Sequence, residues 1–205
     1  MINQRRLLLS IATLVALVMV ASAHADTQKK PESKSRKLTE EELRKLPGFV
    51  DVDFTRAFSG REAKVEVNLK SPMLDLVARF TEYEDPELPA LLSSLNLVRV
   101  QVYDITDAEM QKAATLTSEA ARKLDAAGWE RVVRVREDGD HVDVYFKPTA
   151  DQEALDGIVV MVIGADQEAV FVNVVGRIKP EDVHRLGRRF DIEHLDSLRT
   201  ERRGR

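Results

Sequence analysis

Glu181 and His184 stand three residues apart in PEDVHRL, a spacing that sets two side chains on one helix face and suits a pair of metal ligands. His194 follows ten residues later. No H-E-x-x-H motif fixes a third ligand, and Arg185, Arg188 and Arg189 crowd the same stretch with positive charge, so no metal site is expected. His141 lies in a charged strand, across from Arg136; it reads as a surface residue and not as a triad member. Neither G-x-S-x-G nor S-x-x-K occurs, and there is no cysteine. Nine glycines are scattered at turns, without a phosphate-cradling loop. No catalytic residue and no cofactor are therefore expected. Arg134 and Arg136 fall on one face of a strand and form a candidate anion or partner surface. The competing reading is a solvated face neutralised by Glu137, Asp140 and Asp143.

The balance of the 205 residues narrows the partners. Thirty-one Lys and Arg stand against 35 Asp and Glu, a formal charge of −4, which is far from the strongly basic surface of a nucleic-acid binder. One Trp, three Tyr and seven Phe are too few for a stacking platform. The N-terminus reads as an address. Arg5 and Arg6 precede an apolar stretch from Leu7 to Ala21, and Ala23 and Ala25 supply the small residues of a cleavage site. As a helix that stretch reaches about 22 Å, short of the roughly 30 Å hydrocarbon core, so a cleaved signal peptide over 1–25 fits better than a membrane anchor. Plain leucines after the paired arginines favour general secretion over twin-arginine export. Cleavage after Ala25 removes both arginines and takes the formal charge from −4 to −6. A periplasmic or secreted protein without a stable membrane anchor is expected, with no cysteine to carry a lipid.

Residues 26–37 hold no apolar side chain and read as a disordered polar leader; 38–196 read as a single α+β domain, and 197–205 as an Arg-rich tail. Thr39 to Glu42 is a capping box that opens a short helix ending at Pro47-Gly48. Lys64 to Lys70 alternates as a half-buried strand, and Ser71-Pro72 opens a helix whose Met73, Leu74, Leu76, Val77 and Phe80 read as core-facing. A further helix carries Leu88, Leu91, Leu92 and Leu95, and a strand runs from Leu97 to Tyr103. A second capping box at Thr106 to Glu109 starts the longest helix, rich in alanine for close approach to a sheet and stopped by Gly128. Trp129 plugs the junction that follows. Asp138-Gly139 predicts a two-residue hairpin that sets Val133 against Val144, Val135 against Val142, Arg134 against Asp143 and Glu130 against Lys147. A second hairpin turns at Asp166-Gln167; its strands are apolar on both faces, which suits either central strands or an interface made by Val160, Val162, Phe171 and Val175. Pro180 opens a last helix. The order predicts α+β architecture: one mixed sheet of about six strands, with parallel crossovers early and an antiparallel meander in the last four strands.

The segments PGFVDVD, VEVNLKSPMLDLVA, LVRVQVYD, AAGWERVVRVRE, VDVYFKP and FVNVVGRIKPEDVHRL, in this order from Pro47 to about Leu195, resemble an exported bacterial family described only as a domain of unknown function, number 4252. The resemblance implies a fold and an export route and carries no reaction. Some members resemble lipoproteins with an acylated N-terminal cysteine, a residue this chain lacks.

Two function classes follow. The first is an exported non-enzymatic envelope module that binds another protein or an envelope component, or associates with itself. The second is a periplasmic hydrolase or transferase whose carboxylates and arginines meet in a cleft that sequence does not reveal.

Overall fold

The structure is a computed structural model that describes residues 38–51, 58, 60–81, 88–137 and 139–182. Ala23, Ala25, the polar leader, the C-terminal tail, His184 and His194 lie outside those residues.

Among the described residues ten elements follow one another: α1 (Glu40–Arg44), β1 (Val65–Lys70), α2 (Ser71–Thr81), α3 (Leu88–Ser94), β2 (Leu95–Asp104), α4 (Asp107–Ala126), β3 (Glu130–Glu137), β4 (Asp140–Pro148), β5 (Leu155–Ile163) and β6 (Glu168–Ile178). Both capping boxes form. The Thr39 amide donates to Glu42 Oε2 at 2.9 Å and the Thr106 amide to Glu109 Oε2 at 3.0 Å, each satisfying a donor that the helix itself cannot. Leu95 is the first residue of β2 and not the last apolar position of α3. Pro180 does begin a helical turn, with the Lys179 amide donating to Asp182 Oδ2, and the rest of that expected helix lies outside the described residues.

The six strands form one sheet in the order β1-β2-β6-β5-β4-β3, with helices on both faces, so the architecture is α+β and β3 to β6 form the expected meander. Every pairing is antiparallel, and the expected mixed sheet with parallel crossovers is corrected. The reason is one of parity. A single helix after a strand returns the chain to the strand's starting end, whereas the pair α2 and α3 reverses it twice, so β2 enters from the end where β1 left. The single helix α4 does return the chain parallel to β2, but it delivers β3 to the far edge. The last strand, β6, then takes the place beside β2. This makes β5 and β6 central strands and accounts for their two apolar faces.

One face lies under α4. Tyr103, Tyr145, Val159, Met161, Ala169 and Phe171 meet Ala113, Ala120, Ala121 and Leu124 of that helix, whose alanines allow the close approach. Trp129 is buried in the same cluster, as a plug at the helix-to-strand junction. Leu43 of α1 extends the layer over Leu97 and Val175. On the other face valine dominates: Val67, Val100, Val162, Val170 and Val172 are buried beside Val98, Val102, Val142, Val160 and Val174. The α2–α3 pair packs Leu74, Val77, Leu91 and Leu92 onto one end of this face, around Leu69, Val98 and Val174.

The segment after α1 crosses the sheet where two glycines meet. A Cβ on Gly157 would lie 2.7 Å from Gly48 Cα and 2.9 Å from the Trp129 ring, so only glycine admits the crossing. Asn173, with no exposed surface, pins it. Its Nδ2 donates to the Gly48 carbonyl at 3.0 Å, and its Oδ1 accepts from the Val50 amide at 3.0 Å.

Candidate interaction surfaces

The arginines of β3 lie closer together than alternation alone would place them. A register shift between Arg131 and Val133 inserts one extra residue, so Glu130 pairs with Phe146 and not with Lys147 as expected. The other expected pairs hold: Val133 with Val144, Val135 with Val142, Arg134 with Asp143. The bulge brings Arg131 onto the face that carries Arg134 and Arg136. There Arg134 Nε lies 3.2 Å from Asp143 Oδ1 and Arg136 donates to Asp143 Oδ2, while Arg131 Nη1 donates to the Tyr145 hydroxyl at 3.2 Å with its guanidinium over the same ring. Asp143 is 1% exposed, so its charge is held almost wholly by these arginines. Burial raises the Tyr145 phenol above its ordinary range, against the opposing pull of Arg131. Arg134 and Arg136 thus form a charge-paired lid over Asp143, and His141 stands opposite Arg136 in the ladder. Lys147 serves another purpose: its ammonium donates to the carbonyls of Ala127 and Gly128 and closes the C-terminal end of α4.

The four apolar residues singled out in the second hairpin divide between the two faces. Phe171 is buried under α4 and Val175 under α1. Val160 and Val162 belong to the valine face. They are not one surface. Among the described residues, no group of three or more His, Asp or Glu side chains is placed to hold a metal ion. No helix of those residues is long and apolar enough to cross a membrane.

A different surface emerges around β1 and α2. Among the described residues, the large apolar side chains that stand exposed are Val65 (37%), Met73 (49%), Leu76 (41%) and Phe80 (53%), all from these two neighbouring elements. This corrects the reading of α2 as wholly core-facing. Its five apolar positions cover more of the helical circumference than a sheet can bury, and only Leu74 and Val77, with Ala78, point inward. The spacing 73, 76, 80 was the available signal: it describes a second stripe, offset from the first.

β1 is also a sheet edge, paired only with β2 among the described residues. The Val102 carbonyl accepts from the β1 side, from the Lys64 amide at 2.7 Å, so Val102 and its register partner Val65 are of the hydrogen-bonded type. Alternation then turns the backbone of Val67 and Leu69 toward β2 and leaves the amides and carbonyls of Glu66 and Asn68 facing outward. Charges flank this edge. Lys64 bonds Asp104 and Glu168 at 2.8 and 3.0 Å, which raises its ammonium well above the ordinary lysine range. Lys70 bonds Glu40 at 2.5 Å and lowers that carboxyl below its usual value.

The family model described as a domain of unknown function, DUF4252, matches residues 58–186, more than half of the chain. No curated protein matches, and no solved structure matches.

Proposed function

This chain belongs to the DUF4252 family, and from that premise we propose that it is an exported, non-enzymatic envelope protein that works by binding another polypeptide. The observation that carries this reading is the collection of Val65, Met73, Leu76 and Phe80 beside a strand edge that pairs on one side only among the described residues. Exposed apolar side chains scattered singly are ordinary, but a contiguous group bordering free backbone donors and acceptors is what a protein partner covers. The signal-like residues 1–25 support the periplasm as the place of action. The pairing of Asp143 with Arg134 and Arg136 supports a structural role for the best carboxylate–arginine cluster.

Osmotic release followed by mass measurement and cross-linking of the envelope tests both halves. The released chain is expected to begin at Asp26 and to run in a complex that Leu76→Asp abolishes without lowering the melting temperature. A chain that stays in the cytoplasm with its leader intact, or a complex indifferent to Leu76→Asp, contradicts the proposal.

A further inference from the structure

We infer that the polypeptide covering this surface is a second copy of the same chain, added edge to edge through β1 about a two-fold axis at Asn68. The inference rests on the binding role just proposed and names its partner.

The edge offers the outward amides and carbonyls of Glu66 and Asn68, so an antiparallel neighbour must pair through even-numbered residues. Centring the axis on Asn68 sets Asn68 against itself, Glu66 against Lys70 of the second copy, and Lys70 against its Glu66. Opposite charges then meet twice on the polar face, directly across the ladder. On the other face Val67 meets Leu69 in both directions. Moving the axis by one residue toward the N-terminus brings Lys64 against Lys70, and moving it by two brings Glu66 against itself; moving it by one toward the C-terminus gives up both Glu66–Lys70 pairs, and by two sets Lys70 against itself, so charge favours the register at Asn68. Lys70 is 41% exposed and its bond to Glu40 lies at the surface, which leaves it within reach of a second carboxylate.

The helices agree with this geometry. α2 runs antiparallel to β1 and lies over β1 and β2, with α3 packed on its inner side over β2 and β6. Given the right-handed turn of α2, Ala78 and Asp75 face α3, and Met73, Leu76 and Phe80 fall on the flank above the open edge. A two-fold axis perpendicular to the sheet keeps both α2 helices on the same side and brings the two stripes together across it, with Val65 beneath. The edge hydrogen bonds, the charges and the apolar stripe thus call for the same self-complementary partner. The result is one continuous antiparallel sheet of two copies.

Sedimentation of the purified mature chain tests this, with matched variants. The wild type is expected to be dimeric at about 10 µM. Glu66→Lys alone and Lys70→Glu alone place like charges in both pairs and are each expected to weaken dimerisation about tenfold or more. Their equimolar mixture restores both attractive pairs and is expected to yield a heterodimer. Asn68→Pro removes only an outward amide, keeps the β1–β2 ladder and should give a monomer with an unchanged circular dichroism spectrum. Phe80→Asp, at an exposed position, should do the same. A wild type that stays monomeric at about 100 µM, or a dimer that survives Asn68→Pro and Phe80→Asp, overturns the inference. If the wild type is monomeric while the Leu76-dependent envelope complex persists with a different chain in it, the binding role stands and self-pairing fails. Loss of both removes the two together.

Discussion

Asn173 shows how one buried side chain ties distant segments together. Its amide satisfies the Gly48 carbonyl and the Val50 amide, more than 120 residues away in sequence, and also reaches the Ile158 carbonyl at 3.3 Å. Asn173→Ala would leave those backbone groups buried without partners and empty the space beneath them; a loss of about 3 kcal/mol is expected in urea unfolding. A loss below about 0.5 kcal/mol would mean that water replaces the amide freely. Nothing in the sequence marked this residue, because a polar position inside AVFVNVV is equally consistent with an outward-facing one. The pairing of Arg134 with Asp143 was legible, since it follows from the turn at Gly139 and from alternation. The presence of Arg131 on the same face was not. It depends on a bulge, and a bulge leaves no mark in a hydrophobic pattern.

Among the elements, the helix caps, the alanine-rich α4 and the β3–β4 hairpin were legible because each is specified by local chemistry that agrees with its packing. The relation of β1 to β2 was not, since strand direction depends on how many helices the chain inserts between them and on which face they find. The stripe on α2 was misread for a related reason. Apolar residues at helical spacing say that a face is apolar and do not say what covers it. The β4–β5 connection shows how a loop is held without such burial. Asp151 accepts from the Thr149 hydroxyl at 2.5 Å and from the Glu153 amide at 3.1 Å, and meets Arg177 at 3.1 Å. The hydroxyl first, then the amide and the guanidinium, lower its carboxyl to about 2. A folded-state value below the unfolded one means that the stabilisation is present above the unfolded value near 4 and is lost as pH falls toward 2. Amide exchange in residues 149–154 should therefore speed up between pH 4 and pH 2 relative to the intrinsic rate, and Asp151→Asn should abolish that dependence. Equal pH profiles for the two proteins would refute the assignment.

At the scale of the molecule, the sheet has two unlike edges. β3 carries Arg131, Arg134 and Arg136, turned onto Tyr145 and Asp143 of β4, so this edge strand is strongly charged on one face. β1, which pairs only with β2 among the described residues, lies beside a helix whose outer flank is apolar. On that difference rests the functional proposal, in which the β1 edge is the one that a partner covers. A photo-reactive residue at position 76, compared with one at exposed position 119 on α4, tests it most directly in intact cells. The account predicts a discrete protein adduct from position 76 that Phe80→Asp eliminates, and none from position 119. Equal labelling from the two positions, or an adduct from 76 that Phe80→Asp leaves in place, would contradict it.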